Sequence, residues 1–518
     1  MKKETKKIIA IILLVVLFFS FSIIITFDSA HYMEYVKIFN GDGLWADWDI
    51  VRGIVYPLSI FFTQILFGKN VQGLLITNFL IYFILIKYTY KIISKITQKE
   101  WIKVITVLAL CVINPIIFGF YHVLLTEGLA ITLAIVGCYY AWEFCQIDYK
   151  DNKKKYIIYT LLFSFLIIFS WHLKQPYIST SLFTLLIASF ISIIKRFNLK
   201  NILSRCLTII FCIIMLAVSI ISWNKILIYK NVPMDTGRDS SSVLGKQIVL
   251  ALDYLQLIDD LQFYEIESIN NNKYLSDKEK QKLMENPEDY KIISIIRKNE
   301  IIEQDLIIID ENGTIKGTEA IKLLLSNSLK HPLLTVSSYT FNYLSISNIV
   351  PAITSDGVIY YTSREIDFKY NNEINSIGYR IYRSNPNNFH MPDERMILVD
   401  DYLQQSNPSS VFKNIYLLTI PIYNGLFQII MCLLPFFLLI SFILNIKDRK
   451  KDNKLIQLSL ILLGFSFLHI MVHVVTGAII DRYAVMTIVP TVLGIIIILT
   501  SIINKISKKL RKLNEEVK

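Results

Sequence analysis

The chain has 518 residues, is 53% hydrophobic with a mean hydropathy of +0.48, and carries a formal net charge of +11. That is too apolar for an ordinary soluble domain, and the surplus base, gathered at the ends of apolar runs, suits anionic lipid and argues against nucleic acid as its partner. All six cysteines fall in or beside apolar runs, which excludes a disulfide framework or a cysteine-based zinc site.

A run of about 20 apolar residues is needed to cross roughly 30 Å of hydrocarbon, and only a helix satisfies its own backbone there. Spans are predicted near residues 8–25, 71–93, 102–118, 123–144, 156–171, 177–194, 206–228, 415–446, 455–475 and 484–503. The first follows MKKETKK but is too long for a signal core and lacks a small-x-small cleavage pattern, so it reads as a retained span. Residues 55–67 are apolar but short, with Pro57 near their start, and read as a helix lying in the interface. The run 415–446 contains Pro421 and Pro435, which predicts a kinked helix or an interfacial helix leading into a span. Ten spans put both termini on one side.

Bases crowd alternate connections: Lys2 to Lys7, Lys95 to Lys103, Lys150 to Lys155, Lys195 to Arg205, Lys447 to Lys454, and the tail after Lys505. The positive-inside rule makes that face, and both termini, cytoplasmic in a multi-pass cell-membrane protein. The connection 230–412 carries 18 Lys and Arg against 26 Asp and Glu, a net of −8, which leaves +19 on the rest. The expected organisation is an N-terminal membrane domain over 1–229, with a first outer loop at 27–70. An extracytoplasmic domain of mixed, mostly helical structure covers 230–412. Membrane spans and a basic tail complete the chain over 413–518. Within the outer domain, helices are predicted over 243–261, after the Ser276–Glu279 capping box, over 318–328, and from His331-Pro332 toward Tyr343. The stretch 350–412 reads as irregular with short strands. It shows no nucleophile elbow, phosphate-binding glycine loop or metal-ligand cluster.

The candidate chemistry lies in FDSAHYMEYVKIFNGDGLWADWDIVRGIVYP, residues 27–57. Asp28 follows the first span directly; it is either a partly desolvated general base or a solvated helix-end residue. Glu127, at the head of the fourth span, is either a functional acid or a boundary carboxylate paired with Lys174. Lys174, Arg52 and Arg482 are isolated bases on the base-poor face, suited to a phosphodiester or to ion pairs with Asp481 and the acidic loop. Trp48 and its aromatic neighbours are interface anchors or a stacking surface for sugar. Glu34, Trp48 and His122 are the candidates for contact with acceptor or sugar, with His122 read as packing or hydrogen bonding rather than holding a metal.

In order, the chain shows one span, an outer loop opening on Asp28, the RGIVYP helix ending in FG, and LTE at the head of the fourth span. Later come LKQP after the fifth span and DRY with a proline seven residues on. This pattern resembles the GT-C superfamily of integral-membrane glycosyltransferases, in particular the bacterial relatives of protein O-mannosyltransferases and aminoarabinose transferases. The segment HPLLTVSSYTFNYL is similar to one that precedes the later spans in such proteins. The resemblance covers roughly 1–229 and 415–503. It implies a polyprenyl-phosphate sugar donor, Asp28 as catalytic base, and Arg52, Lys174 and Arg482 around the donor phosphate. It also implies a cell-surface glycan, lipid or protein as acceptor, and inversion by single displacement. Many members have two adjacent acids in the first loop, whereas Ser29 follows Asp28 here. A second acid would come from Glu34, Asp47, Asp49 or Glu127, and a divalent cation, Mg or Mn, stays open as cofactor. Two other classes compete. A polysaccharide polymerase or ligase would use Arg364, Arg380, Arg383 and His390. A transporter or flippase would need facing charges at mid-membrane and an internal repeat, and the sequence shows neither.

Overall fold

The computed structural model describes residues 3–21, 27–48, 52–150, 152–232, 332–347, 410–447, 453–475 and 481–516, with isolated positions at 281, 325 and 329 and two short strands. These residues are mostly helical. In chain order the helices are α1 Lys3–Phe19, α2 Phe27–Asn40, α3 Val55–Phe67, α4 Val71–Ile96, α5 Glu100–Val107, α6 Pro115–Phe120, α7 Glu127–Cys145, α8 Lys153–Leu173, α9 Ser179–Lys195 and α10 Leu199–Tyr229. There follow α11 Pro332–Ile346, α12 Ser410–Lys447, α13 Lys454–Val475 and α14 Ile488–Glu516. Strands β1, Ala352–Ile353, and β2, Ile359–Tyr360, pair antiparallel.

Among the described residues, eight helical stretches are long and apolar enough to cross a membrane: Gln72–Ile96, Glu127–Cys145, Lys153–Leu173, Gln175–Lys195, Leu199–Tyr229, Gly425–Lys447, Lys454–Val475 and Ala484–Ser507. The chain is therefore a multi-pass helical membrane protein. The short helix expected over 55–67 is α3, and the one expected to open at His331-Pro332 is α11. Apart from isolated helical positions at 281 and 325, the other helices expected between 243 and 328 lie outside the described residues, as do Arg364, Arg380, Arg383 and His390.

Three expected spans are corrected. The first helix stops at Phe19 rather than Ile25, where the Ser20 hydroxyl turns back onto the Val16 carbonyl at 2.6 Å. The third expected span, 102–118, is broken into α5, a π-helical turn over Leu108–Val112, and α6. Proline causes the break. Pro115 has no N–H to give and forces Asn114 out of helical geometry, to ψ 107°. Asn114 then caps the new helix, accepting from the amides of Ile116 and Ile117 at 3.0 and 3.3 Å. The fourth helix likewise starts at Glu127, four residues later than expected, because residues 121–126 form a buried turn. In contrast, α12 runs as one helix of 38 residues through Pro421 and Pro435.

The centre of the bundle is α7 and α13, which are apolar all round and covered by α4, α9, α12 and α14. Such helices have no solvent face to present. Gly137 lets α7 approach α9, since a Cβ there would sit 2.9 Å from the Thr180 carbonyl. At the basic end, the two halves of the chain are tied by polar contacts. Trp142 Nε1 donates to the Lys454 carbonyl at 2.8 Å, and Gln146 Nε2 to Gln457 Oε1 at 2.6 Å. Arg205 on α10 is fully buried there. Its guanidinium caps the end of α7 by donating to the carbonyls of Phe144 and Ile147, with Cζ 4.1 Å from the centroid of the Phe144 ring. Arg205→Met would leave those carbonyls without their donor, and a lost buried partner of this kind costs about 3 kcal/mol. The expected result is a clear fall in the thermal unfolding midpoint in detergent.

Candidate functional site

The opposite end of the bundle collects the first loop, the start of α7 and the turn between α8 and α9. Arg52 and Lys174 form an isolated antiparallel backbone bridge, so the RG of the loop is pinned by main chain to the end of α8. Gly53 permits it: a Cβ at that position would lie 1.9 Å from the His172 carbonyl oxygen. Immediately after, Tyr56 and Pro57 open α3 as buried residues.

Glu127 is the first residue of α7, with a fully buried carboxylate. The positive end of the helix dipole favours a carboxylate there. Lys174 Nζ lies 3.8 Å from Glu127 Oε1, with side chains 12% and 1% exposed. The Thr126 hydroxyl donates to Glu127 Oε2 at 3.3 Å and lies 3.4 Å from the Tyr177 hydroxyl. Arg52 donates to the Tyr32 hydroxyl at 3.3 Å and stands over that ring at 5.6 Å. Tyr32 in turn meets Tyr56 edge to face at 4.9 Å. Glu127, Lys174 and Arg52, distant in sequence, thus share one buried corner.

The Tyr56 hydroxyl is buried in that corner and has no hydrogen-bond partner among the described residues. Burial, with Tyr32 and Glu127 adding to it, pushes the phenol well above its ordinary value, so the group stays a neutral donor. An idle buried hydroxyl costs about 1–3 kcal/mol. Tyr56→Phe is therefore expected to hold or raise the unfolding midpoint of the free protein. If the hydroxyl serves a charged substrate group, the same change lowers kcat/KM about tenfold or more.

The remaining candidates separate. The backbone of Asp28 lies in the first turn of α2, and that of Arg482 in the 3-10 helix Asp481–Thr487, which packs on α7 and α13. The side-chain placement of both lies outside the described structure. Glu34 sits mid-way along α2, half-buried, with Oε2 enclosed. Trp48 is buried in an aromatic group with Tyr35, Trp45 and Trp223, at 4.4, 5.8 and 5.6 Å, and fastens the loop to α10. His122 lies away from the corner, beside Phe18 and Phe118. Its Nε2 faces the Phe18 carbonyl at 2.9 Å and its Nδ1 the Phe118 carbonyl at 3.0 Å, and burial pushes the imidazole down to about 4. The neutral ring donates from one nitrogen only, to one of these two carbonyls, and packs between α1 and α6.

Two residues not singled out from sequence belong near the corner. His469 and His473 sit one turn apart on α13, rings 4.8 Å apart. His469 Nδ1 is 2.6 Å from the Ser179 hydroxyl, and His473 lies within electrostatic reach of Lys174. The i, i+4 spacing in HIMVH, inside an otherwise uncharged span, is the signal that marks them. Among the described residues no group of three or more His, Cys, Asp or Glu comes together to hold a metal ion. No family model, curated protein or solved structure matches the chain.

Proposed function

We propose that the chain is a membrane glycosyltransferase that moves a sugar from a polyprenyl-phosphate donor to a cell-surface acceptor, with the Glu127–Lys174–Arg52 corner on the outer face. The observation that carries this reading is that corner itself. A buried carboxylate holds one cation, a backbone bridge holds a second beside it, and an idle phenol points in with them. Two fixed cations and a neutral donor suit a phosphodiester at headgroup depth. The base-poor character of the connections at this end supports the outer placement.

In the proposed reaction Asp28 takes the proton of an acceptor hydroxyl. The acceptor oxygen forms a bond to the anomeric carbon as the bond from that carbon to phosphate oxygen breaks. Polyprenyl phosphate leaves with the electron pair, and Lys174, Arg52 and Arg482 receive its charge. Glu127 keeps Lys174 aimed. One displacement inverts the configuration.

The test is sugar transfer by purified protein from synthetic polyprenyl-phosphate donors. Wild type is expected to release polyprenyl phosphate, and Asp28→Asn to lose about 10²–10⁴-fold in kcat. Wild-type-like turnover by Asp28→Asn would remove Asp28 as the base. A wild-type protein that releases no polyprenyl phosphate from any such donor, with a range of acceptors supplied, would overturn the function.

A further inference from the structure

At the basic end, away from the corner described above, α8 and α10 run side by side and enclose a groove of about 640 Å³. Its walls are Ile157 and Leu161 on α8 and Leu203, Leu207 and Phe211 on α10, all exposed among the described residues. Its polar floor is already satisfied. The Tyr156 hydroxyl donates to the Ser204 carbonyl at 2.9 Å and meets the Thr208 hydroxyl at 2.9 Å, while the Thr160 hydroxyl donates to the Tyr156 carbonyl at 3.1 Å. The floor therefore asks nothing of an occupant, and the walls ask for hydrocarbon.

The mouth is different. Lys150 and Lys200 stand at it beside Asp148. Both Asp148 oxygens are taken, Oδ1 by the Lys150 amide at 3.1 Å and Oδ2 by Arg196 at 3.2 Å, so the acid is neutralised within the protein. The two helices also begin here, capped by Asn152 and Asn198, and both turn the positive ends of their dipoles toward the mouth. The mouth is left cationic. From Leu203 to Phe211 the apolar wall runs eight residues, about 12 Å at 1.5 Å per residue, which is close to the roughly 15 Å depth of one leaflet's hydrocarbon.

We infer that this groove is a binding site for one anionic glycerophospholipid, with its phosphate at Lys150 and Lys200 and one acyl chain between α8 and α10. Charge complementarity at the mouth selects anionic over zwitterionic headgroups, and the wall length selects a lipid of the same leaflet. Ordinary annular lipid would show no such selection.

The experiment is native mass spectrometry of the full chain in detergent, titrated with phosphatidylglycerol or phosphatidylcholine. One phosphatidylglycerol is expected to be retained in preference to phosphatidylcholine by about tenfold or more. The Lys150→Ala/Lys200→Ala pair should bring the preference near one. Leu207→Trp, which fills the groove, should lower retention of both lipids. The control is Lys91→Ala/Lys95→Ala on α4, which removes equal charge from lysines that stand over the Tyr88 and Trp142 rings, none of which line the groove. That control should keep the preference. Equal retention of the two lipids by wild type, or equal loss in the control pair, would overturn the site.

Discussion

Gly53→Ala is expected to unfold or loosen the first loop more than any other single-atom change in the described chain. The added Cβ would lie 1.9 Å from the His172 carbonyl oxygen and 2.4 Å from its carbon. Both atoms are backbone, and the adjacent Arg52–Lys174 bridge holds the two strands at that distance. No rotamer change relieves the overlap, so the strands must part. The expected cost lies at the top of the overpacking range, about 3 kcal/mol or more. It should be read as a lower unfolding midpoint together with lost sugar transfer, because parting the strands moves both Arg52 and Lys174. Gly425→Ala is the matched control: its Cβ meets nothing within 4 Å, and the change in a helix should be neutral or stabilising by up to about 1 kcal/mol. Equal midpoints for the two variants would show that the loop is not held where the backbone bridge places it.

Glu127→Gln is expected to cost both stability and activity, and a second substitution separates the two losses. The carboxylate is 1% exposed and faces the Lys174 ammonium at 3.8 Å. Removing one member of a buried pair leaves a charge without its counterpart and costs about 3–5 kcal/mol. Glu127→Gln/Lys174→Met removes both charges and should recover most of that stability, since apolar replacement of a whole buried pair is often near neutral. In the proposed reaction sugar transfer should not recover, because the cation assigned there to the leaving phosphate is gone. A double variant that regains transfer along with stability would assign the pair to scaffolding alone.

Much of the membrane architecture was legible in the residues. Hydropathy located all eight helices that are long enough to cross, and Pro57 with its apolar followers marked α3. The break between α5 and α6 was not legible from hydropathy, because 102–118 is predominantly apolar; only Asn114-Pro115 carried that information, and a proline alone does not end every helix, as Pro421 and Pro435 within α12 demonstrate. For the corner, charge type marked Asp28, Glu127, Lys174, Arg52 and Arg482 as one set, of which the described side chains bring Glu127, Lys174 and Arg52 together. The contacts of Tyr56, Tyr177, Thr126, His469 and His473 depend on which turns converge, and no local pattern reports that. Glycine 53 reads as a loop residue until the His172 carbonyl is seen beside it.

The polar ties between α7 and α13 bear on how the chain is made. Trp142 finds its acceptor, Lys454, 312 residues further along, and at about 5–20 residues per second a ribosome needs roughly 15–60 s to supply it. Through that interval the central helix waits in the bilayer with one flank covered only by lipid. Its flank must therefore be greasy enough to idle there safely, which accounts for an all-round apolar surface on a helix that ends up mostly buried within the bundle.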